Sequence, residues 1–174
     1  EGDNTTIDNV AMDVQTPPHP DLVVTSITSP ALAFADRDVT IQWTLANNGD
    51  ADFTGEFQEE VSLAPSPSGV NGRFIGSAPF SGTIAAGQTI TRFATFRIPD
   101  DITTDRFVVV RTDDGFDVQE FESGEANNTT VDDVVLDIEI PPHPDLRVTS
   151  ITVPATGFAG VVTVSYTVTD ANGS

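Results

Sequence analysis

The chain has 174 residues, no cysteine and no lysine, and its 27 acidic residues against seven arginines give a net charge of −20. This composition excludes disulfides, and it argues against nucleic acid as a partner because phosphate binding needs a basic face. No apolar run approaches the roughly 18 residues of a membrane-spanning helix. High external salt or divalent cations, or solubility alone, would account for the acidity, and the first two predict an extracellular or cell-surface location.

Alternation of apolar and polar residues predicts β-strands in the first half of the chain. The first is "LVVTSIT" (22–28). In "VTIQWTLAN" (39–47) every second residue is apolar, which marks a half-buried strand, and Trp43 is the expected core anchor. The next strand, "EFQEEVSLA" (56–64), points Glu59 inward as an exception to its apolar face.

The second half continues the β pattern. Asp114-Gly115 predicts a tight hairpin turn. Asp132-Asp133 breaks the alternation of the last strand, which predicts a bulge there. That strand is expected to direct Val134, Leu136, Ile138 and Ile140 to one face. The further predicted strands are 73–84, as two short strands broken by glycine and proline, then 89–98, 106–111, 116–121 and 130–140.

Eight or nine short strands with frequent turn signals and no helical period predict an all-β fold. The expected architecture is an antiparallel β-sandwich of immunoglobulin-like type.

An internal repeat organises the chain. Residues 1–30 match residues 125–154 at nineteen of thirty positions, a spacing of 124 residues. With this period, residues 1–16 are the last strand of a preceding repeat, 17–140 are one complete sandwich, and 141–174 are the first strands of a following repeat.

The hexapeptide "PPHPDL" begins both the second and the third of these segments. Proline fixes φ and lacks an N–H, so the hexapeptide predicts a stiff joint between units. Because each unit has only one histidine, a zinc site or a histidine-based triad within a unit is not expected. The predicted joint residues are Pro17, Pro18, His19, Pro20 and Asp21, and Pro141, Pro142, His143, Pro144 and Asp145.

Several of these stretches resemble CARDB, the cell-adhesion-related domain of bacteria and archaea, over about residues 17–131. "PDLVVTSIT" is similar to its opening strand, and "VVVRTDDGFDVQEFESGEANNTT" to its closing signature, an acidic hairpin that ends in E-x-N-N. The resemblance implies an immunoglobulin-like sandwich that occurs in tandem on secreted or surface proteins and has no enzymatic activity.

The densest acidic stretch, 113–128, is a candidate calcium site, because Ca²⁺ prefers carboxylate and amide oxygens. The alternative is a solvated hairpin in which the two asparagines cap a turn. The candidate ligands are Asp114, Glu122, Glu125, Asn127 and Asn128. Potential N-glycosylation acceptors are Asn4, Asn127, Asn128 and Asn172.

With no recognisable catalytic motif, the chain is not predicted to be an enzyme. We expect a structural repeat of a large extracellular protein that builds a filament, sheath or adhesin shaft, with other copies of itself as partners. A strand from residues 4–14 of one copy could complete the sandwich begun by 141–174 of another. The alternative is an adhesion module that binds a glycan or a protein.

Overall fold

The computed structural model describes residues 5–115, 117–120, 124–157 and 159–172, without the side chain of Glu125. The chain divides into two units, Glu1–Glu139 and Ile140–Ser174. Apart from one 3₁₀ turn, the described secondary structure consists of strands, so the prediction of an all-β fold is confirmed. No helix in the described part of the chain is long and apolar enough to cross a membrane.

The first unit is a sandwich of two sheets. A three-stranded sheet has the order β1-β3-β6, and a five-stranded sheet has the order β2-β8-β7-β4-β5. All neighbours are antiparallel except the short pair β2–β8, which is parallel. The strands are β1 (Leu22–Thr28), β2 (Leu32–Phe34), β3 (Asp38–Asn47), β4 (Phe53–Ala64), β5 (Arg73–Ile84), β6 (Thr89–Arg97), β7 (Arg106–Arg111) and β8 (Thr129–Glu139).

The core lies between the two sheets and is built from the inward-facing residues of both. Trp43 on β3 is 1% exposed, which confirms it as the core anchor. Phe57 on β4 lies in the same cluster and contacts Phe80 of β5 in a stacked arrangement, with ring centroids 4.9 Å apart. Burial of such apolar surface contributes about 25 cal/mol per Å² and drives the two sheets together.

One buried ion pair links the sheets through the core. Glu59 of β4 points inward and is fully buried, as the sequence pattern predicts. Its carboxylate accepts hydrogen bonds from Trp43 Nε1 at 2.6 Å and from Arg92 Nη2 at 2.6 Å. Burial raises the pKa of Glu59, and the bonds from Arg92 and Trp43 oppose that rise. A buried charge is tolerated here because its oxygens have strong donors.

The structure corrects one predicted strand boundary and adds one short strand. Residues 73–84 form the single strand β5, not two short strands, and Pro79 pairs with Gln58 within it. Proline is compatible with this position because β5 is an edge strand, where a missing N–H can face away from the ladder. The short strand β2 was not predicted, since three residues are too few to show a period.

The predicted strand 116–121 is also wrong for its described part. Residues 117–120 form no strand, and the chain there turns inward so that Val118 and Glu120 are buried. The cause is Asp113, which adopts φ +47° and bends the chain after β7.

The bulge predicted in β8 is confirmed. Phe107 pairs with Val135 but Val109 pairs with Val131, so the two strands slip out of register between these pairs. The slip leaves Leu136 and Ile138 buried, as predicted. The same prediction is wrong for Val134 and Ile140, which are 58% and 57% exposed.

The second unit is a two-stranded hairpin of β9 (Leu146–Thr152) and β10 (Ser165–Asp170). It pairs in the register of β1 and β3: Val148 lies opposite Val168 as Val24 lies opposite Leu45. Both hairpins have an irregularity after the valine of the sequence V-T-S-I-T, which is Val24 in β1 and Val148 in β9.

Candidate functional site

The described residues of the acidic closing loop (112–128) fold back over the start of β1. At its beginning, the carboxylate of Asp113 accepts hydrogen bonds from the backbone N–H groups of Asp117 (2.8 Å) and Val118 (3.1 Å). At its end, the Asn128 carbonyl accepts the N–H of Thr112 at 2.9 Å. A 3₁₀ turn, Gly124–Ala126, lies between these anchors.

Glu120 ties this loop to the sandwich. It is 5% exposed, and its Oε1 accepts the backbone N–H of Leu22 at 2.6 Å. Burial, with smaller contributions from the negative charges of Asp21 and Asp113, raises the pKa of Glu120 to about 7, against the opposing bonds from Leu22 and Asn128. A carboxyl with this pKa titrates near neutral pH and is partly protonated there.

The two asparagines of the closing signature lie beside Glu120. Asn127 Nδ2 donates to Asp21 Oδ1 at 3.0 Å. The side-chain oxygens of Asn127 and Asn128 and the hydroxyl of Thr112 are buried and have no hydrogen-bond partner among the described residues. Buried oxygens without a donor are energetically costly, and a bound cation or an ordered water would satisfy them.

Gly124 lets the turn approach this cluster closely. A Cβ at this position would lie 2.8 Å from the Cβ of Glu120, 3.5 Å from its Oε2 and 3.6 Å from Asp21 Oδ1. The carboxylate oxygens of Glu120 and Asp21 therefore both lie close to the Cα of Gly124, and only glycine fits at this position.

The structure describes the side chains of three of the five residues that the sequence proposed as calcium ligands. Asp114 lies 2.8 Å from Arg111 and contacts Glu60, whose pKa is raised by burial and by Asp114. Glu122 and the side chain of Glu125 lie outside the described residues. Of the three described candidates, Asn127 and Asn128 lie beside Asp21 and Glu120. No group of three or more histidine or acidic side chains in the described part of the chain is placed to hold a metal.

Sequence reasoning missed the roles of Asp21 and Glu120. Asp21 was assigned to the joint alone, and Glu120 was placed on a strand that the structure does not form. One signal could have found Glu120. It lies only a few residues before the asparagine pair, so a loop could bring the three side chains together.

The predicted joint residues 17–21 are anchored to the turn between β3 and β4. His19 donates its N–H to Asp50 Oδ1 at 2.8 Å, and its carbonyl accepts the N–H of Asp50 at 3.1 Å. Asp21 donates its N–H to the side chain of Asn47 at 3.0 Å and accepts the N–H of Asn48 at 2.7 Å. The segment is thus fixed to the unit that it precedes.

The equivalent residues of the second unit make the same two bonds. Asp145 donates its N–H to Asp170 Oδ1 at 3.0 Å and accepts the N–H of Ala171 at 2.9 Å. Asn172 Nδ2 also donates to the His143 carbonyl at 3.3 Å. We call these bonds between a PPHPD segment and the following turn the joint clamp.

The predicted glycosylation acceptors differ in exposure. Asn172 is exposed, whereas Asn128 is 4% exposed and could not accept an oligosaccharide without leaving the loop. Asn127 is half-buried against Asp21. Asn4 lies outside the described residues.

Comparison with known proteins places this geometry in a family. The CARDB family model matches residues 19–132. Comparison with curated proteins gives no match. Among solved structures, the CARDB domain of a Pyrococcus furiosus protein in complex with di-metal ions aligns with a TM-score of 0.52 and 14% identity, covering 73% of this chain and 100% of that one.

A second solved structure has the same fold. A domain from a predicted cell-surface protein of Methanosarcina acetivorans aligns with a TM-score of 0.50 and 20% identity, covering 73% of this chain and 98% of that one. At this level of identity the two structures support the fold alone. The family model covers the larger part of the chain, and the chain therefore belongs to the CARDB family, a non-catalytic, cell-surface-associated type of domain.

Proposed function

We propose that this chain is a non-enzymatic structural repeat of a large extracellular surface protein, and that such repeats build a filament, sheath or adhesin shaft. The observation that carries this proposal is the joint clamp, which anchors the proline segment before each unit through the same backbone bonds. In a tandem array, a proline segment that is bonded to the unit following it in the chain restricts the motion of that unit. Salt or divalent cations outside the cell would screen the repulsion that a net charge of −20 causes.

We further propose that copies associate by strand exchange through the second unit. The apolar residues of its hairpin are exposed: Leu146 by 66%, Val148 by 57% and Ile151 by 66%. The equivalent hairpin of the first unit is covered in part by β8, whose Thr130 hydroxyl donates to the Val24 carbonyl of β1 at 2.6 Å.

Residues 5–16 are the proposed covering strand. They match 129–140 of β8 in the internal repeat, and their apolar residues Ile7, Val10, Met12 and Val14 are 75–86% exposed. Asp8 Oδ1 accepts the N–H of Val10 at 2.9 Å, the same local bond that Asp132 makes with Val134 at 3.1 Å. Residues 5–16 therefore have the same local bend as β8.

Sedimentation velocity over a range of protein concentrations tests this association. We expect the chain to form larger species as concentration rises. Val148→Asp should abolish them, because the charge would lie in the covered face, and removal of residues 1–16 should do the same. Val70→Asp, at a residue 60% exposed between β4 and β5, is the matched control and should assemble normally. Undiminished assembly of the shortened chain would overturn strand exchange.

We also propose that the closing loop binds Ca²⁺, with Asp21, Glu120, Asn127 and Asn128 as the ligands that the structure brings together. Their carboxylate and amide oxygens are the donors that Ca²⁺ prefers, and the partnerless oxygens of the asparagines support a cation there. The di-metal complex of the Pyrococcus furiosus domain is consistent with a metal in a domain of this fold.

Calorimetric titration with Ca²⁺ distinguishes the two ligand sets. Glu120→Gln should weaken binding at least about tenfold, because it removes a charged ligand. Asp114→Asn should leave binding unchanged, since Asp114 is already paired with Arg111. Loss of binding in Asp114→Asn, with none in Glu120→Gln, would favour the sequence-derived ligands instead. Absence of heat in the unaltered chain would overturn the calcium proposal.

A further inference from the structure

The outer face of the β1-β3-β6 sheet is almost uncharged, although the chain as a whole carries a net charge of −20. Its charged side chains among the described residues are Asp38 and Arg97, which lie 3.3 Å apart at one end of the face, where Arg97 also bonds to Asp36 at 2.9 Å. The other exposed side chains of this face have hydroxyl, amide or apolar groups. They are Ser26, Thr28, Thr40, Gln42, Thr91, Phe93 and Thr95.

Phe93 lies in the middle of this neutral face and is 73% exposed. It pairs across the strands with Gln42, and Thr91 and Thr95 flank it along β6. The hydroxyls of Thr40 and Thr95 lie 2.8 Å apart, so a hydrogen bond fixes these two side chains beside Phe93. The Phe93 ring contributes little to the core, and among hydrogen-bonding neighbours on a neutral face it offers an apolar surface to a ligand.

The dimensions of the face limit the class of partner. Nine successive residue pairs join β3 and β6 from Asp38 to Ala46, and at about 3.3 Å per residue they extend about 30 Å. Three strands spaced about 4.8 Å apart give a width of about 10 Å, hence roughly 300 Å². A stable protein interface buries about 800 Å² on each partner, so this face alone is smaller than such an interface.

We propose that this neutral face binds an uncharged, extended polysaccharide of the ribbon-like kind found in cellulose and chitin. The Phe93 ring offers an apolar surface on which the C–H face of a sugar ring can stack. Threonine hydroxyls and the Gln42 amide supply both donors and acceptors for sugar hydroxyls. The acidic remainder of the surface repels anionic polymers, and the middle of the face has no carboxylate among the described residues for a cationic one, so neutral polymers are the fitting class.

An NMR titration of the 174-residue chain tests this proposal with cellohexaose and chitohexaose as probes and a galacturonic acid hexamer as the charged control. We expect saturable shifts of the Thr40, Gln42, Phe93 and Thr95 amides with at least one neutral probe and none with the charged one. Phe93→Ala should weaken binding at least about tenfold, as loss of a stacking ring does, whereas Phe93→Trp should retain it.

Phe74→Ala is the matched control, because Phe74 is 55% exposed on β5 of the other sheet. It should bind as the unaltered chain does. Because Phe93 is exposed, its substitution should leave the fold intact, which the unperturbed spectrum outside this face would verify. Absence of shifts with both neutral probes, or binding that survives Phe93→Ala, would overturn the proposal. Shifts of this face that depend on protein concentration without sugar would do the same and would indicate self-association.

Discussion

The two hairpins of this chain, β1–β3 and β9–β10, are alike in pairing and opposite in environment. Leu22 and Val24 of the first are 0% and 2% exposed, and the corresponding Leu146 and Val148 of the second are 66% and 57% exposed. Both hairpins nevertheless have the same register, and both keep the joint clamp.

This contrast separates local from non-local causes. Register and clamp follow from a short stretch of sequence, because turn residues and strand alternation specify them without a second sheet. Burial requires other strands, and an isolated two-stranded hairpin is only marginally stable in water. The β9–β10 hairpin therefore has the local features of the β1–β3 hairpin, while its apolar residues stay exposed.

The largest expected difference is at the paired aromatic positions. Trp43→Ala should lower the free energy of unfolding by about 3–5 kcal/mol, because a fully buried indole leaves a cavity. Tyr166→Ala, at the corresponding position and 67% exposed, should change it by less than about 0.5 kcal/mol in dilute solution. Urea unfolding followed by circular dichroism measures both. A large cost for Tyr166→Ala would mean that its face is covered even in dilute solution.

The next difference concerns the clamp. Buried Asn47 accepts the N–H groups of Asp21 and Gly49 and donates to the carbonyls of Ala51 and Ile84. Asn47→Ala should therefore cost about 3 kcal/mol, because buried partners are left unsatisfied.

Asp170→Ala is the matched substitution in the second unit and should cost about 1 kcal/mol or less, since its partners are reached by water. The same urea experiment measures both variants. Equal costs would contradict the view that burial, not the bonds themselves, makes the first clamp strong.

A smaller effect is expected at the glycine of the first clamp. A Cβ on Gly49 would lie 2.2 Å from the His19 carbonyl oxygen, and backbone cannot move aside as a side chain can. Gly49→Ala should cost about 2–3 kcal/mol. Gly87→Ala is the control: it has φ +72° but open space around it, so only about 1 kcal/mol of backbone strain is expected. Thermal unfolding of the two variants would show whether the close approach matters.

The last expected difference is a pH dependence that arises in the first unit. Glu120 has a folded pKa of about 7, above its ordinary value of 4.5. The neutral form is favoured on folding, so its stabilising contribution is present below pH 4.5 and is lost as pH rises through 7.

Glu120→Gln should flatten the pH dependence of the unfolding free energy in that window. Ca²⁺ should offset the loss in the unaltered chain, because it binds the ionised carboxylate. A pH profile unchanged by Glu120→Gln would rule out this residue as the titrating group.

Much of the fold could be predicted from alternation alone. The strands around Trp43 and Leu136 were predicted because each buries one face and exposes the other. The position of Glu59 was predicted as well, although its partner Arg92 was not, because a contact between two sheets leaves no periodic signal.

The candidate site was harder to predict because irregular backbone forms it. The bend at Asp113 brings Glu120 to Leu22, 98 residues earlier in the chain. Composition pointed to the acidic stretch 113–128, but only the three-dimensional path shows that Asp21 and Glu120 lie beside its asparagines.

Amide hydrogen exchange in β1 and β9, compared at low and high protein concentration, tests directly whether strands of another copy cover the β9–β10 hairpin. We expect the amides of Val24 and Ile27 to be protected at both concentrations. Those of Val148 and Ile151 should exchange rapidly in dilute solution and become protected as concentration rises. Exchange of Val148 and Ile151 that is independent of concentration would contradict the claim.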